Sequence, residues 1–308
     1  PINTPFDEIS PFIHVNGRTL FYASNGKPGF GGFDIFKTEL NDGKWDMPVN
    51  FGSPVNDHED QFSLFISADG TRGYYSHEDG TRENSARLYE MTIPKELQIA
   101  YRSNFVKGIV KDKKSGQPLQ SRVELFDLKN DELISVVESD SVTGQYLMVL
   151  TTGSEYALYV TAPDYLFQSL NFNYEDNLNP EPVVIDILLD KTDAGATAVL
   201  NNIFFDFDKY ELKERSLTEL NKVIRFLKDK PSIRVEIGGH TDSDGSASYN
   251  KQLSLKRAQS VVSYLVEKGI NKARLTEKGY GADSPIKPND SDENKQANRR
   301  IEFKIIQY

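Results

Sequence analysis

A carboxylate and a guanidinium in the last third of the chain have the residue types and spacing needed to bind a zwitterion. Asn250 and Arg257 are seven residues apart, which at 100° per residue places them about 20° apart on a helix. Asp242 precedes that helix, in a loop whose backbone N–H groups near the helix N-terminus suit a carboxylate. The sequence therefore predicts a clamp in which Arg257 and the amides take a carboxylate and Asp242 takes an ammonium. A structural ion pair between Asp242 and Arg257 is the alternative, and spacing alone leaves both open.

Other kinds of chemistry have less support. His240 and the nearby Asp242 could form an acid–base pair. Asp206 and Asp208 could form a carboxylate pair, because alternate residues lie on one side of a strand. No nucleophile motif, H-E-x-x-H sequence or phosphate loop accompanies them. His240 is better explained as a turn residue, and the run from Asp242 to Gly245 lacks the further ligands of a calcium loop. We therefore expect a protein that is not an enzyme and that needs neither metal nor cofactor.

Strand and helix patterns alternate around these residues, and this alternation predicts an α/β sheet with helices packed on it. The predicted strands lie at 203–207, 233–237, 275–278 and along Ile301, Phe303 and Ile305, and the predicted helices at 217–227 and 248–268. Gly269 is expected to close the long helix, and Gly238-Gly239 to end the second strand. A small-residue linker is predicted at 191–198, ahead of this module.

Several spaced motifs in this module resemble the OmpA-type peptidoglycan-associated domain. They are Phe205-Asp206-Phe207-Asp208, Gly239-His240-Thr241-Asp242, Tyr249-Asn250, Leu253-Ser254, Arg257-Ala258, Gly279-Tyr280-Gly281 and Asn298-Arg299-Arg300-Ile301-Glu302. The resemblance covers 201–306 and implies an OmpA-like α/β sandwich at 197–308 that binds the peptide stem of peptidoglycan without cleaving it. It also implies that Asp242 and Arg257 grip the amino and carboxylate groups of diaminopimelate. The other positions of the predicted binding set are Phe207, Asp208, Thr241, Asn250 and Leu253.

The first ninety residues repeat with an offset of 53, as in Phe12-Ile13 against Phe65-Ile66 and Asn16-Gly17 against Asp69-Gly70. Each repeat consists of short strands joined by Asn-Gly or Asp-Gly turns, which is typical of propeller blades. The phrase Trp45-Asp46-Met47-Pro48 resembles the WD40-like blades of TolB-type propellers. We therefore predict C-terminal propeller blades at 1–100, with an ordinary antiparallel hairpin domain as the alternative. Because two blades cannot close a propeller and the chain opens with Pro1, it is expected to be a processed product or fragment with further blades upstream.

Short strands without helical periodicity follow at 105–110, 122–126, 133–137, 146–149 and 156–161. They predict a β-sandwich at 101–192. The phrases Val106-Lys107-Gly108-Ile109-Val110 and Gly116-Gln117-Pro118-Leu119 resemble the carboxypeptidase regulatory-like family, whose fold is a transthyretin-like sandwich. The fold class is thus multidomain, all-β plus α/β, and the sandwich is expected to be a spacer or docking module.

Composition limits the possible partners. The chain has 308 residues, no cysteine and a net charge of −10, with the acidic excess in its first 196 residues. Disulfides and thiolate metal sites are excluded, and no polybasic run points to nucleic acid. No apolar run approaches the roughly 18–20 residues that span a bilayer.

The order of blades, regulatory-like sandwich and OmpA-like domain resembles the periplasmic PorE-type proteins of type IX secretion in Bacteroidetes. It implies a periplasmic anchor that binds peptidoglycan and tethers an outer-membrane-associated complex, the secretion machinery. Envelope or secretion-system proteins would bind the propeller and sandwich. A protein–protein scaffold with a vestigial peptidoglycan pocket is the alternative.

Overall fold

The computed structural model describes residues 1–41, 43–78, 80, 85–99, 103–130, 132–151, 155–174 and 182–307. The chain forms two units. One consists mainly of Pro1–Val106, and the other of Lys107–Met148, Ser154–Tyr174 and Val184–Tyr308. The second unit thus contains most of the predicted β-sandwich together with the predicted OmpA-like module, while the three domain boundaries remain predictions.

Eight strands form two antiparallel sheets in the first unit. The larger sheet contains β1 (Glu8–Ile13), β2 (Thr19–Ser24), β3 (Asp34–Asn41), β4 (Lys44–Trp45) and β5 (Val49–Asn50). The smaller contains β6 (Gln61–Ile66), β7 (Arg72–Glu78) and β8 (Ala86–Thr92). β6 and β7 each begin 53 residues after β1 and β2, so the sequence repeat is also a structural repeat. Their identity as propeller blades stays a prediction.

The repeat extends to backbone conformation. Ser10 and Ser63 both have positive φ, 50° and 56°, at the point where β1 and β6 shift register against their partner strands. The two hydroxyls lie 3.2 Å apart. Gly17 and Gly70, in the following turns, have φ of 70° and 71°, a region that glycine enters without steric cost.

Two four-stranded sheets occupy the region of the predicted sandwich. Their strands are β9 (Ser103–Asp112), β10 (Arg122–Asp127), β11 (Glu132–Glu138), β12 (Gln145–Thr151), β13 (Glu155–Thr161), β14 (Gln168–Asn173), β15 (Val183–Val184) and β16 (Ile187–Leu189). One sheet has the order β11-β10-β13-β14, and in the other β9 lies between β12 and β15 and also pairs with β16. Each of the five strands expected from the sequence lies inside an observed strand. A transthyretin-like packing of the two sheets stays a prediction.

The last part of the chain is an α/β structure. Its elements are β17 (Thr197–Val199), α1 (Leu217–Asp229), β18 (Arg234–His240), α2 (Ala247–Glu267), β19 (Leu275–Gly281), α3 (Asp292–Asn298) and β20 (Ile301–Gln307). The sheet order is β17-β20-β18-β19, with β18 and β19 parallel and the other pairs antiparallel. Apolar positions of α1 and α2, such as Leu220, Val223 and Val261, are buried against the sheet. This arrangement brings the end of β18 beside the start of β20.

Three expectations about this module were wrong. Residues 203–207 are not a strand, because the edge strand β17 precedes them and they form an irregular segment ending in a turn. The expected linker at 191–198 instead enters the sheet, where Gly195 N–H donates to Ile305 O (2.7 Å) and β17 pairs with β20. β18 continues through Gly238 and Gly239 to His240. A Cβ atom at Gly239 would lie 2.0 Å from Ser254 O on α2, so this glycine allows close helix packing rather than ending the strand.

Within the part of the chain that the structure describes, no helix is both long enough and apolar enough to cross a membrane.

Candidate functional site

The loop that joins β18 to α2 is fixed at both ends by backbone hydrogen bonds. Thr241 N–H donates to Gly281 O (2.9 Å), at the end of the neighbouring strand β19. Ser246 is the N-cap of α2, and its hydroxyl accepts from Tyr249 N–H (3.3 Å). A cap of this type satisfies one of the backbone donors that a helix start leaves unpaired. The loop is therefore held where the carboxyl end of β18 meets the N-terminus of α2.

Three of the predicted site residues are linked directly in this loop. Asp242 O accepts from Thr241 Oγ1 (2.9 Å) and from Asn250 Nδ2 (3.3 Å). All three residues are buried. Asn250 thus ties the first turn of α2 to the loop, and its amide holds the Asp242 backbone rather than pointing freely into solvent.

The Asp242 carboxylate is buried, with 6% of the residue exposed. Oδ1 accepts from Asp244 N–H (3.0 Å), and Oδ2 pairs with Arg299 Nη1 (2.5 Å). The ion pair that was the structural alternative, between Asp242 and Arg257, is not present within 4.0 Å in the described chain. Asp242 pairs with Arg299 because β20 lies next to β18, and Arg299 stands just before β20. Arg299 was not predicted as a site residue, although the Asn298-Arg299-Arg300 motif could have indicated it.

Arg257 lies half-buried on α2 and faces the irregular segment that follows β17. Its Nε donates to Lys209 O (2.9 Å) and its Nη2 to Asp206 O (3.4 Å), while Cζ lies 5.0 Å from the centre of the Phe205 ring. Among the described residues no carboxylate oxygen lies within 4.0 Å of its guanidinium. The charge of Arg257 is therefore held by backbone carbonyls and an aromatic face, without a neutralising partner.

The electrostatic surroundings of Arg257 contain charges of both signs. Burial, and next the positive charge of Arg299, lower the pKa of Arg257 from its ordinary value. Asp208 and Asp242 act in the opposite direction. Two guanidinium groups and two carboxylates thus influence one another at this end of the sheet. Such an arrangement has complementary positions for both ends of a zwitterion.

Phe207 and Asp208 lie at the tip of the same irregular segment. Phe207 is 98% exposed, and Asp208 has φ of 60°. The pairing of Asp206 and Asp208 on one face of a strand was therefore a wrong expectation, since the two flank a turn. Asp206 instead forms ion pairs with Lys213 (2.5 Å) and Lys209 (3.5 Å). Leu253, half-buried, lies on the α2 face between Asn250 and Arg257.

Residues in α3 and just before it also contact the loop between β18 and α2. Lys295 Nζ pairs with Asp244 Oδ1 (2.9 Å), and Ser243 N–H donates to Asn289 Oδ1 (3.3 Å). Asn298 is fully buried and holds the segment before α3 with its whole amide. It accepts from the N–H groups of residues 286 and 287 (2.9 and 3.1 Å) and donates to the carbonyl of residue 287 and the side chain of Asn289 (both 2.9 Å).

His240 is not the turn residue that the sequence suggested. It is buried as the last residue of β18, with its ring stacked on Tyr280 at 4.7 Å. Its Nε2 lies 3.4 Å from Glu302 Oε2, and Arg300 Nη2 lies 2.6 Å from Glu302 Oε1. Although burial alone would raise the pKa of Glu302, its contacts with His240 and then Arg300 lower it to about 2. This cluster supports the strand end beneath Asp242.

The described residues contain no group of three or more His, Asp or Glu side chains arranged to hold a metal ion. What the site offers is a buried acid, a basic side chain without a carboxylate partner, and backbone N–H groups at the start of a helix. These groups can bind and orient a charged ligand.

Comparison with known proteins gives the family of this region. The OmpA family matches residues 204–299. The peptidoglycan-associated lipoprotein of Buchnera aphidicola subsp. Baizongia pistaciae is 33% identical over 133 residues, which cover 43% of this chain and 69% of that protein. Outer membrane porin F of Pseudomonas fluorescens is 36% identical over 104 residues, covering 34% of this chain and 32% of the porin.

Among solved structures, that of the peptidoglycan-associated lipoprotein from Burkholderia pseudomallei is 28% identical, covers 33% of this chain and 87% of that one, and has a TM-score of 0.32. The chain spans a third or less of the length of several other relatives, including porin F. The family match and the relative that is covered to 69% agree on the family. The chain therefore belongs to the OmpA family.

Proposed function

We propose that the module at 197–308 binds the peptide stem of peptidoglycan without cleaving it, through the diaminopimelate residue. The observation that carries this proposal is the state of Arg257. Its guanidinium is half-buried and has no carboxylate within 4.0 Å in the described chain, yet it interacts electrostatically with the buried Asp242, in the loop before α2. Such a cation is ready to accept a ligand carboxylate.

The two ends of the ligand would meet different groups. A carboxylate of diaminopimelate would bind Arg257, with help from the N–H groups at the start of α2. The ammonium would bind Asp242, whose carboxylate oxygens retain lone pairs beyond those used by Asp244 N–H and Arg299. Asn250 and Leu253 would line the floor between them, and Phe207 and Asp208 would approach from the exposed turn. Binding would need no covalent step and no cofactor.

For the whole protein, we propose a periplasmic anchor that tethers an outer-membrane-associated complex to the cell wall. Relatives named as outer membrane proteins and as a peptidoglycan-associated lipoprotein support an envelope location. The resemblance of the domain order to PorE-type proteins supports a role in type IX secretion. In this proposal the repeat region and the sandwich region hold the protein partners.

Co-sedimentation of the full chain with purified diaminopimelate-type cell-wall sacculi tests the binding. We expect wild-type protein to sediment with the sacculi and Arg257→Ala to remain in the supernatant, because losing one member of a charged contact costs about 2–5 kcal/mol. Arg225→Ala is the matched control, since Arg225 is an exposed arginine on α1. If folded wild-type protein fails to sediment, the proposed binding is contradicted. The alternative then remains, a protein–protein scaffold with a vestigial peptidoglycan pocket.

A further inference from the structure

The Glu219 carboxyl is a buried acid that the proposed binding site does not use. It lies on α1 with 0% of the residue exposed. Oε1 accepts from Ser169 Oγ on β14 (2.6 Å), and Oε2 accepts from Asn202 Nδ2 in the segment after β17 (2.9 Å). No basic side chain lies within 4.0 Å of it in the described chain. An ionised carboxylate so placed would be costly, because its partners are all neutral.

This acid lies where the sheet containing β14 meets α1. Phe167, just before β14, packs against Phe226 of α1 at 5.3 Å and against Phe303 of β20 at 5.5 Å. Asn171 Nδ2 donates to Asn201 O (3.1 Å) across the same junction. The sandwich region and the OmpA-like module therefore share a packed junction, and the Glu219 carboxyl is fully buried in it.

We propose that the protonated Glu219 carboxyl is a latch that holds the β10–β13–β14 sheet against α1, and that loss of its proton loosens this junction. The geometry provides an acceptor for the proton. Asn202 Oδ1 is buried and has no hydrogen-bond partner within the described residues. A turn of the Asn202 amide by 180° would present Oδ1 to the acid hydrogen of Glu219, so the neutral acid can be hydrogen-bonded without the cost of a buried charge that has no basic partner.

The groups that face Glu219 from every neighbouring element are uncharged. They are Ser169 from β14, Tyr159 from β13 and Asn202 from the segment after β17. The nearest charged side chains along α1 are already paired: Lys222 with Glu124 of β10, and Arg215 at the helix start with Glu155 of β13. These pairs flank the junction and lie outside the hydrogen-bonded group around Glu219.

The direction of the effect follows from the pKa. Burial raises the pKa of Glu219 from 4.5 to about 7, despite the hydrogen bonds from Ser169, Asn202 and Tyr159. Because the pKa of Glu219 is raised in the closed junction, its contribution to the free energy of closure is fully present below pH 4.5. This contribution is lost as the pH rises through 7. Between pH 5.0 and pH 8.5 the opening equilibrium constant is expected to rise on the order of 50- to 100-fold.

Thiol labelling of the full chain measures this opening, because the chain contains no cysteine. Ala157→Cys places one thiol on β13, in a buried cluster that includes Tyr159 and is contacted by Phe204. Its labelling rate, divided by that of a free thiol at the same pH, gives the opening equilibrium. We expect the 50- to 100-fold rise in this variant, and a change of less than about threefold when Glu219→Gln is added.

A matched thiol separates junction opening from global unfolding. Ala258→Cys places the thiol on α2, in the core of the OmpA-like module. Because global unfolding also exposes Glu219, the opening equilibrium at this position can rise with pH by the same factor, and the absolute rates make the distinction. We expect the corrected labelling rate at Ala157→Cys to exceed that at Ala258→Cys at both pH values, because the junction opens without unfolding of the module. Equal corrected rates at both positions, no rise at Ala157→Cys, or an unchanged rise with Glu219→Gln would each overturn the latch.

A titration of the wild-type protein gives an independent check. Infrared difference spectra of the full chain should contain a protonated carboxyl band that disappears with a midpoint near pH 7 and is missing in Glu219→Gln. If that band is lost below about pH 5 instead, Glu219 is ionised in the closed junction and the latch is refuted.

Discussion

The substitution Asp242→Asn separates the charge of the proposed ammonium site from its geometry. Asparagine keeps a side-chain oxygen for the Asp244 N–H group, now 3.0 Å from Oδ1, so the loop retains this hydrogen bond. It removes the negative charge that is paired with Arg299 at 2.5 Å and that would meet a ligand ammonium. A hydrogen bond to a charged group contributes about 1.5–3 kcal/mol. We therefore expect the dissociation constant for a diaminopimelate-containing muropeptide to rise about 10- to 100-fold.

Calorimetric titration of the full chain at one pH and salt concentration is the assay. Asp244→Asn is the matched control, because it breaks the ion pair between Asp244 and Lys295, in which the Asp244 side chain is 67% exposed. Exposed ion pairs contribute at most about 1 kcal/mol, so this variant should bind within about fivefold of wild type. If Asp242→Asn binds as tightly as wild type, or if both variants lose affinity equally, the carboxylate of Asp242 does not grip the ammonium.

Three further predictions concern stability, each measured by urea unfolding of the full chain. Asn298→Ala should destabilise the OmpA-like module by about 2–4 kcal/mol, because two backbone N–H groups lose their buried acceptor; a loss below about 0.5 kcal/mol would contradict this. Glu302 has a pKa lowered to about 2, so its ionisation stabilises the fold above pH 4.5 and this contribution fades as the pH falls from 4.5 towards 2. In Glu302→Gln the difference in stability between pH 7 and pH 3.5 should therefore shrink, and an unchanged difference would argue against the assignment. Lys222→Met should cost about 2–4 kcal/mol by leaving the buried Glu124 with Arg122 as its remaining basic partner, whereas a neutral or stabilising effect would mean that the pair does not hold the junction.

Local patterns in the sequence predicted much of the fold. The apolar period and the closing glycine predicted a helix over 248–268, and α2 runs from Ala247 to Glu267 with Gly269 at φ of 92°. The 53-residue offset predicted paired repeats, and even the positive φ of Ser10 recurs at Ser63. These features depend on neighbouring residues or on a direct comparison of one segment with another.

Features that depend on contacts between distant segments were missed. Gly238 and Gly239 were expected to end a strand, but the close approach of α2 explains Gly239. Asp242 pairs with Arg299, 57 residues later, because the sheet order places β20 beside β18. No local pattern encodes that order. The same reason explains why the segment at 203–207, apolar except for Asp206, was predicted as a strand although β17 occupies the sheet edge.

Arg257 is the proposed carboxylate site, and a comparison of two ligands tests this role directly. Muropeptides with diaminopimelate and with lysine at the same stem position share the side-chain ammonium, but only diaminopimelate carries the second carboxylate. Titrations of the wild-type chain should give an affinity at least about 30-fold higher for the diaminopimelate form. The Arg257→Ala chain should bind the two ligands with nearly equal, weak affinity. A wild-type protein that does not distinguish them, or an Arg257→Ala protein that keeps the full preference, would contradict the proposed site.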